Sequence, residues 1–132
     1  MIRILNIIFI LLCLLPQISF AKHLYKEVEY QTYWCNKNNG KLEYKLNDNT
    51  RVDCLLPDMA VEFDFASKWA ECIGQALYYG QQTKRTPSCV LIMENRVKDE
   101  KYLTRLKYAT EKIQDFKIFT LTPSMLQNRN KK

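Results

Sequence analysis

Met59-Ala60-Val61-Glu62-Phe63-Asp64-Phe65-Ala66-Ser67-Lys68-Trp69-Ala70-Glu71 changes its hydrophobic period halfway along. From Met59 to Phe65 the pattern alternates, with Val61, Phe63 and Phe65 on one face and the acids Glu62 and Asp64 on the other. That is the period of a β-strand. From Ser67 onward, Trp69, Ile73, Ala76, Leu77 and Gly80 follow at helical spacing. Ser67 is the expected N-cap, Glu71 falls in the early turns, and residues 80–84 form the stop. A strand running into a helix needs a second strand to return to. Cys89-Val90-Leu91-Ile92-Met93, a short unbroken apolar run, reads as a strand buried on both faces.

Upstream, residues 41–46 alternate through Leu42, Tyr44 and Leu46, Asn47-Asp48-Asn49 supplies turn chemistry, and residues 50–56 resume as a strand. This predicts a hairpin, broken by Pro57-Asp58. Before it, Tyr25, Val28, Tyr30, Tyr33 and Trp34 mark roughly one helical face that stops at Asn38-Asn39-Gly40. Downstream, Asp99 is expected to open an amphipathic helix through Tyr102, Leu103, Leu106, Ala109 and Ile113, and residues 116–121 form a last strand. The order α-β-β-β-α-β-α-β defines an α/β protein. Without repeats, low-complexity segments or linkers, residues 22–132 make one domain.

The chain has 132 residues, 20 Lys+Arg against 14 Asp+Glu, and 47% hydrophobic residues, which excludes disorder as its main state. Part of that hydrophobicity lies in residues 1–21. Arg3, the apolar run ILNIIFILLCLL, Pro16-Gln17 and Ser19-Phe20-Ala21 follow the order of a signal peptide, with cleavage expected after Ala21. The run is too short for a spanning helix, which wants about 20 apolar residues, and Pro16 and Gln17 truncate it. Cys13 lacks the small preceding residues of a lipoprotein site. A periplasmic or secreted protein without a stable membrane anchor is therefore expected. Its modest basic excess, part of it in the tail Asn128-Arg129-Asn130-Lys131-Lys132, suits nucleic acid, an anionic envelope surface or an acidic partner, and chooses among none of them.

Cys35, Cys54, Cys72 and Cys89 remain after cleavage, an even set that suggests disulfides in an oxidising compartment. The preferred bridge is Cys35–Cys54, from the end of the first helix to a strand reached after one hairpin; Cys72 and Cys89 stay unassigned. Structural zinc is disfavoured, because no Cys/His spacing fits it and the only histidine, His23, adjoins the cleavage point.

One constellation suggests chemistry. If the second and third strands pair, Asp53, Glu62 and Asp64 approach closely enough for a hard divalent cation, Mg²⁺ or Mn²⁺, that takes oxygen ligands. Lys68 stands at the start of the next helix, and Gln75 and Tyr79, four residues apart, share a face of it. The simpler reading makes Glu62 and Asp64 the wet face of an alternating strand and Lys68 and Glu71 a surface ion pair. Trp34 and Trp69 are expected in the core rather than as base-stacking platforms.

These residues, in this order of elements, resemble the PD-(D/E)XK nuclease-like superfamily, with its restriction-endonuclease-like α-β-β-β-α-β core, here extended by a C-terminal helix and strand. The resemblance spans residues 25–95, most specifically Arg51-Val52-Asp53-Cys54, the stretch from Ala60 to Glu71, and Ile73-Gly74-Gln75-Ala76-Leu77-Tyr78-Tyr79. The chain is also similar to small exported bacterial proteins of unknown function that share this core. The resemblance implies that Asp53 is the first metal-binding aspartate, that Glu62 is the second acidic ligand, and that Gln75 and Tyr79 form the Q-x-x-x-Y pattern of an exonuclease-like branch. The motif lysine two residues after Glu62 is replaced by Asp64, and Lys68 is the candidate substitute. A Mg²⁺-dependent endo- or exonuclease acting on nucleic acid is then the expected activity, with a catalytically silent exported module that binds a protein partner as the alternative. Basic residues are interspersed with acids except at Lys84-Arg85 and the tail, which limits the nucleic-acid surface.

Overall fold

The structure is a computed structural model that describes residues 22–128; the expected signal peptide and residues 129–132 of the tail lie outside the described residues. The elements are α1 (Glu27–Lys37), β1 (Lys41–Lys45), β2 (Arg51–Leu55), β3 (Met59–Phe65), a 3-10 turn (Ala66–Lys68), α2 (Trp69–Thr83), β4 (Thr86–Ile92), α3 (Arg96–Thr110), β5 (Lys117–Leu121) and α4 (Pro123–Gln127). The strands form one five-stranded mixed sheet in the order β1-β2-β3-β4-β5. β1, β2 and β3 are antiparallel neighbours, whereas β3-β4 and β4-β5 are parallel. The change follows from the connections: two tight turns join the first three strands, and a helix crosses over between each of the later ones.

Those turns have local causes. Asn49 takes a left-handed conformation, and the Asp48 carboxylate accepts from both the backbone N–H and the hydroxyl of Thr50. At Pro57-Asp58 the return is closed by Leu56 N–H donating to the Met59 carbonyl. The sheet is covered on both faces. Tyr30 and Trp34 of α1 and Leu126 of α4 pack with Val61, Phe63, Val90 and Ile92 on one side, and Cys72 and Ala76 of α2 and Leu103 and Leu106 of α3 pack with Cys89 and Leu91 on the other. β4 is thus buried on both faces, as its continuous apolar run predicts.

Several boundaries differ from the sequence expectation. Ser67 does not cap α2; it lies in the 3-10 turn, and Lys68 holds the N-cap position without a side-chain bond. Gly80 is inside α2, where a Cβ would meet the Arg85 carbonyl and Pro87 at 3.0–3.2 Å, and the stop falls at left-handed Lys84. α3 begins before Asp99, because Asn95 Oδ1 accepts from Lys98 N–H while the Asp99 carboxylate accepts from Asn95 N–H. Ile113 lies beyond its end. α1 buries Tyr30, Gln31, Trp34 and Cys35 and leaves Val28 exposed, so its inner face is rotated from the expected one. α4, opened by Pro123, is an addition to the expected order.

Two disulfides brace the sheet. Cys35–Cys54 ties the end of α1 to β2 across a Cα separation of 5.7 Å, as the sequence suggests, and Cys72–Cys89 ties α2 to β4 across 6.0 Å. Gly40 lies against the first bridge, where a Cβ would stand 2.4 Å from Cys54 Sγ.

Candidate functional site

β2 and β3 pair through Cys54↔Val61 and Leu55↔Ala60, and beyond that point carboxylates take over the backbone partners. Glu62 Oε1 accepts from Asp53 N–H at 3.2 Å, and Asp53 Oδ2 accepts from Phe63 N–H at 2.9 Å. The ladder is irregular on the other side of β2 as well. β1 and β2 pair on both sides of Glu43 and Asp53 but not through them, and Glu43 has φ 49°, a left-handed conformation uncommon for a residue with a side chain. The two strands on either side of β2 are thus both interrupted level with Asp53.

Glu62 and Asp64 are not the wet face of β3. They are 2% and 5% exposed. Val61 and Phe63 pack towards α1, Ala60 packs with Tyr79 of α2, and the alternation of β3 places Glu62 and Asp64 with Ala60 on the side that α2 covers. Asp64 accepts no hydrogen bond, and none of Asp53, Glu62 and Asp64 makes an ion pair, among the described residues.

Burial raises all three carboxyls. For Asp64 burial acts first, the Glu27 charge adds to it and Lys68 opposes it, leaving the group at about 7. Asp53 and Glu62 form a coupled pair, both shifted upward by burial; the Asp53 charge raises Glu62 further, and the Phe63 N–H offsets part of the rise at Asp53. Near neutral pH the cluster holds protons that ordinary carboxylates have lost.

The other expected residues fall in different places. Lys68 is about half-exposed, with Nζ 3.8 Å from Glu71 Oε2, yet its charge reaches Asp64 and Glu27. Tyr79 packs its ring against Val52, Leu55 and Ala60, and its phenol is raised by burial first and by Glu62 second. Gln75 is exposed on α2, so the shared face with Tyr79 is not a common lining. Trp34 lies in the core on the α1 side of the sheet, and Trp69 packs, partly buried, against the cluster on the α2 side.

Glu27, in the first turn of α1, is the residue that reading of the sequence missed. It is half-buried, accepts from Gln31 Nε2 at 3.2 Å, is raised by burial, and acts electrostatically on both Asp53 and Asp64. Its signal is present in the chain. Glu27, Tyr30, Gln31 and Trp34 follow the i, i+3, i+4, i+7 stripe that faces the core, and a carboxylate on such a stripe calls for a reason.

Carboxylate oxygens set close together have the donor chemistry of a divalent-cation site. Among the described residues, however, no group of three or more His, Cys, Asp or Glu side chains converges tightly enough to hold a metal ion. The pair Asp53 and Glu62 is assembled, and Asp64 and Glu27 lie within electrostatic reach of it. No protein-family model, characterised protein or solved structure matches the chain. What the molecule defines at this stage is its class, an α/β domain with a five-stranded mixed sheet, two disulfides and a buried carboxylate cluster at the fork between two strands.

Proposed function

We propose that the protein is an exported, metal-dependent nuclease of restriction-endonuclease-like architecture. The observation that carries this reading is the carboxylate pair Asp53–Glu62 at the opened β2-β3 ladder, with Asp64 on the same face of β3 and its carboxylate oxygens still reaching solvent. Asp53 and Glu62, the pair assembled at the fork, would hold Mg²⁺ or Mn²⁺, with Asp64 within electrostatic reach of them. Such an ion supplies Lewis-acid activation of water and neutralises charge on a phosphodiester. The chain contributes the rest: the Asp53 and Phe63 backbone N–H groups orient the two carboxylates, and the burial of the cluster strengthens its attraction for cations. Lys68 would approach a phosphate by leaving its exposed pairing with Glu71. The order α-β-β-β-α-β and the two disulfides support the same family and an oxidising compartment, periplasmic or extracellular. Among the described residues no helix is long and apolar enough to cross a membrane.

A catalytically silent module that binds a protein partner is the second reading, favoured by the absence of a lysine two residues after Glu62 and by the outward pairing of Lys68. The experiment is incubation of the purified protein with linear DNA, circular DNA and RNA in Mg²⁺, Mn²⁺ or EDTA, beside Glu62→Ala. Metal-dependent cleavage that disappears in the variant supports the nuclease. Equal inactivity of both proteins, with no metal bound, supports the silent module.

A further inference from the structure

A cavity of about 680 Å³ opens where the parallel strands β3 and β4 end, beside the 3-10 turn that follows Asp64. Its lining carries five charged side chains, Lys22, Lys98, Lys101, Glu94 and Asp99, besides His23. The two acids are already engaged. Glu94 accepts from His23 Nδ1, Tyr30 Oη and the backbone N–H groups of Leu24 and Tyr25, and Asp99 accepts from Asn95 N–H. The three lysines have no ion-pair partner among the described residues.

Flat surfaces accompany this excess of lysines over acids. The His23 ring stacks on Phe65 at a centroid separation of 3.4 Å and an interplanar angle of 11°, and both line the cavity. Tyr102 lines another part of it, with Lys101 Nζ 4.9 Å and Arg105 Cζ 5.7 Å from its ring centroid. Lysines in excess of acids suit an anion, and aromatic rings in a cavity wall suit a planar ring.

We propose that this cavity is a binding site for a nucleoside 5′-monophosphate group, its base against the His23–Phe65 stack or Tyr102 and its phosphate among Lys22, Lys98 and Lys101. The site is separate from the carboxylate cluster but joined to it in sequence: Asp64 precedes Phe65, and Ser67, which also lines the cavity, precedes Lys68. The inference deepens the nuclease reading, on which it rests for the choice of a nucleotide among planar anions. Its test does not depend on cleavage.

Adenosine 5′-monophosphate is titrated into the oxidised protein in EDTA, followed by calorimetry and by NMR shifts, with adenosine and inorganic phosphate in parallel. Binding is expected to weaken at least tenfold in Lys98→Ala/Lys101→Ala and for adenosine, and to persist in Glu62→Gln. Two exposed lysines are changed, so a fold unaltered by circular dichroism is expected and makes the comparison valid. No binding, binding that ignores the two lysines, or equal binding of adenosine would overturn the proposal. Loss of binding in Glu62→Gln would also overturn it, by placing the nucleotide on the acids. Competition by a 5′-phosphorylated tetranucleotide, and none by its 5′-hydroxyl form, makes a strand terminus the source of the group. Competition by neither leaves the free mononucleotide as the ligand. If Glu62→Gln binds the nucleotide and the unaltered protein cleaves nothing, the nuclease reading fails while the cavity assignment stands.

Discussion

The backbone N–H of Asp53 donates to Glu62 Oε1, while the Asp53 carboxylate accepts from the N–H of the residue after Glu62. The two acids therefore hold the strand fork open as well as lining it. Glu62→Gln keeps an oxygen acceptor for Asp53 N–H and removes a titrating carboxyl, whereas Glu62→Ala leaves that N–H unpaired. Under the nuclease reading, both variants are expected to abolish metal-dependent cleavage. Only Glu62→Ala is expected to lose stability, by roughly 1–3 kcal/mol, the cost of a buried unsatisfied group, as read by urea denaturation near pH 7. Equal stability losses in the two variants would show that the Asp53 contact contributes nothing.

The carboxyl cluster fixes the sign of the pH dependence. Asp64 titrates near 3.8 when unfolded and at about 7 when folded, so across that window the native state binds the extra proton. Stability from this group is full below the unfolded value and is lost as pH rises through the folded one. Asp53 and Glu62 shift in the same direction. The metal-free protein is thus expected to be more stable at pH 5 than at pH 8, with Asp64 responsible for on the order of 2 kcal/mol after allowance for solvent screening. Asp64→Asn should flatten the profile. Under the nuclease reading, Mg²⁺ should reverse the slope by binding the ionised acids, raising Tm with concentration at pH 8 and not in Asp53→Ala. A profile that rises from pH 5 to pH 8 in EDTA would contradict the shifts.

Why the strands were legible and the site was not follows from what a period can encode. Alternation from Met59 to Phe65 places Glu62 and Asp64 on one face, and the structure agrees. It does not say whether that face meets water or a helix. α2 covers it because Ala60 and the apolar side of Tyr79 meet there, a tertiary fact. Glu27 was hidden differently: the aromatic residues of α1 suggested one stripe, and the buried one includes Gln31 and Cys35. The boundaries at Ser67 and Asp99 shifted because a 3-10 turn and the Asn95 cap each overrode the nearest local signal.

Both bridges border the acid pair. Cys54 follows Asp53, and Cys89 is the β4 residue in register with Glu62, while Cys72 Sγ lies 3.6 Å from the Glu62 carbonyl oxygen. Each disulfide closes a short loop, with sequence separations of 19 and 17, for which chain entropy gives roughly 3 kcal/mol apiece. Reduction is expected to lower Tm sharply, and Gly40→Ala to destabilise the oxidised protein by forcing a Cβ against Cys54 Sγ. Because Gly40 meets the sulfurs of both Cys35 and Cys54, its penalty should shrink in a Cys35→Ala/Cys54→Ala background, which removes them. An equal penalty in both backgrounds would place the strain elsewhere.

Lys68 separates a structural role from a chemical one. Its pairing with Glu71 is long and exposed, so Lys68→Ala is expected to change stability by less than about 0.5 kcal/mol. Its charge nonetheless opposes the upward shift of Asp64, and removing it should raise that carboxyl further. If the lysine also meets the phosphate, Lys68→Ala should reduce cleavage by at least tenfold, with Lys68→Arg recovering part of the loss. The carboxyl shift alone predicts something else: a cleavage profile moved towards higher pH, with the rate at its plateau unchanged. Rates of Lys68→Ala and Lys68→Arg measured from pH 6 to pH 9 distinguish the two effects, and an unaltered plateau in Lys68→Ala would remove Lys68 from the chemistry.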